Sequence, residues 1–342
     1  MPKNRKSGAP GWAFSGLTWG IAAGIAIGAL VVAPSMAPIA DNSFNQITGS
    51  ESGESRGKAD EATEEAQRQV DSANALLGNS STAIVAGALE QRPYLIIRTP
   101  DANAEDIDVT NWLAEQAGGV ASGQITLTDK FLSSDGADEL RSIIATTLPA
   151  GAQLSVDNQE PGVHAGESLG AALMFDPKGD QPLATVDDRA VVLQALRDAG
   201  FIEYEDGTIT PAQGIILITG GQDTEAEAEQ NKDDPGGQDS QDGNAYSSTV
   251  LADFARALDS KGDAVVLAGR RGAATEKGSL GQVRADDKSS VSTVDSLESE
   301  TGRISTVLAL AEQINGGSGA YGSASTANAE MPAPKPAPRR DA

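Results

Sequence analysis

The chain has 342 residues, no cysteine, one histidine and a formal net charge of −24. The lack of thiols excludes disulfides and thiolate metal sites, and the negative charge disfavours nucleic acid and anionic lipid as partners, because both are bound through Lys and Arg. Aromatic residues make up only 4% of the chain, so we expect a core of Val, Ile, Leu and Ala.

An apolar segment without charged residues, at positions 12–33, follows a basic segment at positions 1–11. It has the length that a helix needs to cross a bilayer. No basic residue follows it until Arg56, so the positive-inside rule predicts a single-pass membrane anchor with the rest of the chain in the cell envelope, outside the cytoplasm. A signal peptide that is cleaved near Ala37 is the alternative.

Two stripes of small or apolar residues are candidate helix-packing surfaces. Residues 34–91 are predicted to form a polar spacer and a helical stalk, whose thin seam would support a weak coiled coil. A homo-oligomer or a partner protein would pack there, and a solvated stalk is the alternative. The candidates are Gly20, Gly24 and Gly28 in the apolar segment, and Ala66, Val70, Ala73 and Leu77 in the stalk.

Residues 92–328 predict an α/β domain with a mostly parallel, Rossmann-like sheet. Five β-rich runs are separated mostly by helical patterns, and parallel neighbours require such crossover connections. The runs lie at positions 94–98, 124–128, 215–219, 264–268 and 291–294. Within this domain, the acidic stretch 222–246 is predicted to be a disordered insert. The Pro- and Ala-rich tail at 329–342 is predicted to be mobile.

The turns after the predicted strands are where an α/β sheet would bind a ligand. The turns at 99–101, 220–223 and 269–272 contain neither a G-x-G-x-x-G loop nor a P-loop. Two arginines in the last turn would suit an anion, although solvated arginines are the commoner arrangement. The sheet therefore lacks a nucleotide motif.

Catalytic and metal-binding residues are scarce. His164 is predicted to lie in a surface loop, and Ser168 is not part of a nucleophile elbow because no strand leads into it. The four methionines are far apart in sequence, so we do not expect a specific Cu(I) site within one protomer. The sequence therefore predicts neither an enzyme nor a cofactor.

The densest motif lies near the C-terminus, where a strand ending at Asp295 precedes a helix capped by Ser299 or Thr301. Its residues are Ser292, Thr293, Val294, Asp295, Gly302, Arg303, Leu308, Ala309, Leu310, Tyr321 and Gly322. This block resembles the end of the MctB family of actinobacteria, the group of mycobacterial copper transport protein B. The turn at 98–102 and the run at 122–128 resemble the same family.

The resemblance implies an envelope protein of a mycolate-bearing actinobacterium with a role in copper homeostasis, in a family proposed to form an outer-membrane channel. The family's corynebacterial relatives include the cell-separation factor SteB. They imply an alternative, a non-catalytic scaffold that works with a SteA-like partner to control peptidoglycan hydrolysis. No catalytic or ligand residue can be carried over from either group, so copper would be involved only indirectly.

Overall fold

A computed structural model describes residues 65, 68, 72, 74–177, 181–221, 235–262 and 264–333, with the backbone alone for residues 235–242. The chain divides into two units, Met1–Ala73 and Asn74–Ala342. In the first unit the three described residues are helical. The second unit contains all the elements discussed below.

Seven strands and nine helices are described in the second unit. The strands are β1 (Pro93–Arg98), β2 (Val120–Leu127), β3 (Ile202–Glu203), β4 (Gly214–Ile218), β5 (Ala264–Ala268), β6 (Ser292–Val294) and β7 (Ala320–Tyr321). The helices are α1 (residues 74–85), α2 (Ala104–Gln116), α3 (Asp129–Leu132), α4 (Ala137–Thr147), α5 (Pro161–Leu173), α6 (Val186–Asp198), α7 (Pro235–Asp259), α8 (Ser279–Arg284) and α9 (Glu300–Ile314).

The strands form one sheet in the order β3-β2-β1-β4-β5-β6-β7. All neighbours pair in parallel except β2 and β3. The chain begins in the middle of the sheet with β1, moves outward to β3, and returns to β4 on the other side of β1. This reversal between β1 and β4 is the topological switch point of the sheet.

Helices cover both faces of the sheet. Leu95 and Ile97 of β1 belong to one core, which is closed mainly by α4, α5, α6 and α7. Tyr94 and Ile96 belong to the other core, which is closed by α1, α2 and α9. Every residue of β4 and β5 is buried, because strands covered on both faces have no solvated side.

The prediction of an α/β domain with a mostly parallel sheet is confirmed. The five predicted runs are found as β1, β2, β4, β5 and β6. The sequence analysis missed β3 and β7, which have two residues each. Such short strands are set by the backbone that they pair with, and they carry no detectable period of their own.

The membrane-spanning part of the predicted fold class requires a correction. In the part of the chain that the structure describes, no helix is both long and apolar enough to cross a membrane. Helix α7 has 25 residues but many polar ones, whereas the more apolar α5 has 13, fewer than the roughly 20 that a span needs. The anchor predicted at positions 12–33 lies outside the described residues, and the single-pass topology is unsupported.

His164, predicted to lie in a surface loop, is part of helix α5. Gly162, Gly166 and Gly170 recur at a spacing of four and face α7 and the residues after it. A Cβ added at Gly166 would lie 2.5 Å from the Cβ of Ala257 and 2.6 Å from the carbonyl oxygen of Phe254. These glycines allow two helices to approach closely.

Two other segments differ from the predicted boundaries. Helix α7 begins at Pro235, inside the stretch predicted to be a disordered insert, and residues 222–234 lie outside the described part of the chain. The compact second unit begins at Asn74, within the predicted stalk. Val85 and Leu89 are fully buried in the second core, so apolar residues assigned to the stalk pack against the domain itself.

We predict that Gly166→Ala lowers the free energy of unfolding by about 1–2 kcal/mol, because overpacking against the α7 backbone outweighs the gain in helix propensity. The matched control is Gly243→Ala on α7, where an added Cβ would meet no atom within 4 Å. This control should be neutral or stabilising by up to about 1 kcal/mol. Urea unfolding followed by circular dichroism measures both, and equal changes would contradict the close packing.

Candidate functional site

The switch point between β1 and β4 is nearly filled by the protein. Thr99 follows β1, and its hydroxyl donates a hydrogen bond to the carboxylate of Asp101. Gly220, after β4, packs so closely that an added Cβ would lie 2.5 Å from the carbonyl oxygen of Asp101. The remaining cavity has a volume of about 10 Å³, which is room for roughly one water molecule. A nucleotide cannot enter this crevice as it stands.

A second set of polar residues at this end of the sheet is the Asp106 cluster, formed by Asp106, Arg270 and Arg303. Asp106 lies in the first turn of α2 with its side chain 2% exposed. Arg303 Nη2 of α9 and Arg270 Nε, after β5, each donate to this carboxylate at 2.8 Å. Arg303 also donates to the Leu297 carbonyl at 3.1 Å. The cluster ties two helices to the β5 turn, and its hydrogen bond raises the pKa of Arg270.

A third set is the Asp295 cluster, formed by Asp295, Arg284, Thr293 and Tyr321. The carboxylate of Asp295, after β6, is fully buried and pairs with Arg284 Nη1 of α8 at 2.8 Å. Arg284 Nε donates to Thr293 Oγ1 at 2.8 Å, and Nη2 donates to the Tyr321 carbonyl at 2.8 Å. One guanidinium thus joins α8, β6 and β7. Because its charge and most of its donors are used internally, it acts as a structural cation.

The chain after β7 completes the coordination of Asp295. The backbone N–H groups of Ser323 and Ala324 donate to its Oδ1 at 2.8 and 3.2 Å. Gly322 has a φ of +126°, and an added Cβ would overlap the Asp295 carboxylate. Only glycine fits both the backbone conformation and this approach.

The other residues of the C-terminal motif support the same region. Gly302 packs against the Ser296 carbonyl in the first turn of α9, leaving no space for a Cβ. The Tyr321 hydroxyl donates to Glu312, and burial, followed by this hydrogen bond, raises the pKa of the phenol. The remaining members are buried or partly buried: Ser292, Val294, Leu308, Ala309 and Leu310. The motif is therefore largely a packing unit.

Most of the predicted helix-packing residues lie outside the described part of the chain: Gly20, Gly24, Gly28, Ala66, Val70 and Ala73. Leu77 is described. It lies on α1 and packs against the core that contains Val85 and Leu89. At this position the structure places a contact with the chain's own domain.

The residues considered for catalysis or anion binding are dispersed. His164 lies on α5 with its Nε2 3.0 Å from the Ser155 carbonyl oxygen. Ser168, one turn further on, is buried, and its hydroxyl has no hydrogen-bond partner within the described structure. Arg270 is engaged by Asp106, while Arg271 donates to Ser323 at 3.1 Å. The structure does not combine these groups into one site.

The sequence analysis did not identify Asp106 or Arg284. The usable local signal was Asn103, whose side chain accepts a hydrogen bond from Glu105 N at 2.9 Å and caps α2. Such a cap marks where a helix begins, but it does not reveal that the Asp106 carboxylate is buried. The partners of Asp106 are 164 and 197 residues away in sequence. The chain has 49 acidic residues, so the sequence does not show which of them pairs with these arginines.

Fold and site together define a Rossmann-like domain whose ligand edge is closed by its own ion pairs. The family described as "Copper transport outer membrane protein, MctB" matches residues 14–332. The chain belongs to this family, and the resemblance inferred from the C-terminal motif is confirmed.

Curated relatives carry the same family name. The protein named copper transporter MctB of Mycobacterium tuberculosis (strain ATCC 25618 / H37Rv) is 36% identical over 244 residues, which are 70% of this chain and 72% of the relative. Its namesake in Mycobacterium leprae (strain TN) is 34% identical over 257 residues, 73% of this chain and 74% of the relative. The match thus covers most of both proteins.

We predict that Asp295→Asn lowers the free energy of unfolding by about 3–5 kcal/mol, because Arg284 keeps its charge while its buried partner loses the opposite one. The control is Glu139→Gln, since Glu139 pairs with Lys130 at 2.8 Å with its side chain 53% exposed. Loss of this surface pair should cost less than about 1 kcal/mol. Chemical denaturation measures both, and similar costs would show that the Asp295 pair is not structural.

Proposed function

We propose that this chain contributes to copper homeostasis in the cell envelope, without catalysis and without a Cu(I) site of its own in the folded domain. The relatives' name, copper transporter, supports the link to copper. The separation of the soft donor atoms across the fold carries the second part of the proposal. The protein then affects the copper content of the cell through other components of the envelope.

The described soft or borderline donors lie far apart. Met174 is buried in the first core, whereas Met331 packs against the second core on the other side of the sheet. His164 on α5 precedes Met174, the residue that follows this helix, by ten residues, about 15 Å at the rise of an α-helix. Tight Cu(I) binding needs several thioethers, thiolates or imidazoles around one ion. Nor do three or more His, Cys, Asp or Glu side chains group around a point among the described residues.

The absence of catalysis is proposed from the way the charged groups are used. Asp106 and Asp295 are the carboxylates that lie at the ligand edge with almost no exposure, and arginines neutralise both. A general acid or base must reach a reacting atom, whereas these groups are enclosed by the helices and turns that they join.

A non-catalytic scaffold for cell separation is a second candidate function. It is favoured by the same use of the charged residues, because a domain whose buried charges stabilise its fold is suited to presenting surfaces. In this role the chain would act with a SteA-like partner, or as a homo-oligomer, to control peptidoglycan hydrolysis. The two functions predict different phenotypes.

We predict that the purified chain does not retain Cu(I) in competition with a strong Cu(I) chelator, because its soft donors are dispersed. The triple variant His164→Ala, Met174→Leu, Met331→Leu should show the same copper partition. Methionine and leucine have similar volumes, so each exchange should cost less than about 1.5 kcal/mol. Stoichiometric copper on the wild type that the triple variant loses would establish direct binding and refute this part of the proposal.

In a deletion strain we predict a raised cellular copper content. The wild-type chain and the triple variant should both restore it to normal, because the proposed role does not require a copper site in this chain. Copper content by mass spectrometry and cell chaining by microscopy are scored in the same cultures. Cells that chain at normal copper levels would instead support the scaffold function. Rescue by the wild type alone would show that the soft donors are needed.

A further inference from the structure

An open polar groove with a volume of about 650 Å³ lies beside β2, away from the ion-pair clusters. Its floor includes Gln124 and Thr126 of β2, and its sides include Asn111 of α2 and Tyr204, which follows β3. Ligand sites commonly have volumes of about 300–1,000 Å³. The groove therefore has the size of a binding site, which the crevice at the switch point lacks.

The groove exists because helix cover ends over this side of β2. In the parallel register, Gln124 is paired with Ile96 and Thr126 with Arg98, so each pair shares a face of the sheet. Ile96 is buried in the core that α2 helps to close, whereas Gln124 is exposed. The antiparallel pairing of Thr126 with Glu203 extends this uncovered face onto β3.

The side chains with free hydrogen-bonding capacity in the groove are mainly acceptors. Among the residues that the structure describes, the side chains of Gln124, Glu203 and Glu205 make no hydrogen bond or ion pair. Ionised carboxylates only accept hydrogen bonds, and an amide can both accept and donate. The lining contains no Lys or Arg. Arg98 lies next to it, with its Nε donating to Thr126 Oγ1 at 3.0 Å.

These features select the chemistry of the occupant. An anion would meet two unpaired carboxylates, and an apolar ligand would leave polar groups without partners. A basic peptide would gain little, because exposed carboxylates form weak ion pairs. A neutral molecule with many hydroxyl donors satisfies the amide and the carboxylates. Gln124 and Thr126 stand about 7 Å apart along the strand, a spacing that adjacent hydroxyl-bearing rings can bridge.

We infer that the groove between α2 and β3 binds a neutral oligosaccharide. Gln124 and Glu203 hold sugar hydroxyls from the floor, and Glu205 contacts the oligosaccharide from one side. This activity is independent of the proposed role in copper homeostasis and adds a recognition function to it.

The test is titration of the full-length chain with chitotetraose, cellotetraose and maltotetraose. Isothermal titration calorimetry and saturation-transfer NMR measure the binding. We expect at least one of these neutral sugars to bind. Gln124→Ala and Glu203→Gln should each weaken binding about tenfold, as the loss of one hydrogen bond does. Ala121→Phe, at an exposed groove position, should abolish binding by filling the groove.

The matched controls are Gln116→Ala and Glu276→Gln, which remove the same chemical groups from exposed positions outside the groove. They should bind as the wild type does, and circular dichroism verifies that all variants are folded. Sugar binding that the groove variants leave unchanged would overturn the site. The inference also fails if none of the sugars binds at millimolar concentration. Binding of tetralysine alone, with a steep dependence on salt, would assign the groove to basic peptides instead.

Discussion

Two buried carboxylates, Asp106 and Asp295, constrain the rest of this domain, because an ionised carboxylate leaves water only when charged donors replace its hydration. Arg303 and Arg270 meet that requirement for Asp106, and Arg284 with two backbone N–H groups meets it for Asp295. Each set of donors comes from elements far apart in the chain. The order of β5, β6 and β7 and the placement of α2, α8 and α9 thus depend on satisfying the same two groups.

This constraint also explains why a Rossmann-like topology need not bind a nucleotide. In such folds the carboxyl ends of the strands are left open, and helix N-termini face the ligand. Here arginines on α8, on α9 and in the β5 turn neutralise the acidic groups at that end, and Gly220 lets the β4 turn close on Asp101. What remains open is a side of the sheet at β2, where helix cover ends. The proposed binding site therefore lies on a face of the sheet and not at the strand ends.

Glycine has different structural roles at different positions of the chain. A spacing of four in an apolar segment is typical of close helix packing. It therefore predicts a helix-packing surface at Gly20, Gly24 and Gly28. The same spacing recurs in Gly162, Gly166 and Gly170, where the structure shows it bringing α5 against α7. At Gly322 the requirement is different, since a φ of +126° coincides with contact to Asp295. Spacing alone does not separate these cases, because the space available to a Cβ is a tertiary property.

Local sequence was sufficient to determine the five longer strands, the mostly parallel sheet and the family, because apolar runs and a dense motif are contiguous in the chain. For α9 it narrowed the cap to Ser299 or Thr301, and the structure shows that Ser299 accepts the hydrogen bond from the Gly302 N–H. Local sequence could not determine the extent of α5, the paired β3 and β7, or the burial of Asp106 beside Arg303. These features depend on partners contributed by distant segments: a neighbouring helix for the glycines, a longer strand for the short ones, and a guanidinium for the carboxylate. The groove at β2 likewise exists only because α2 stops covering the sheet there. The sequence of β2 does not predict where α2 lies.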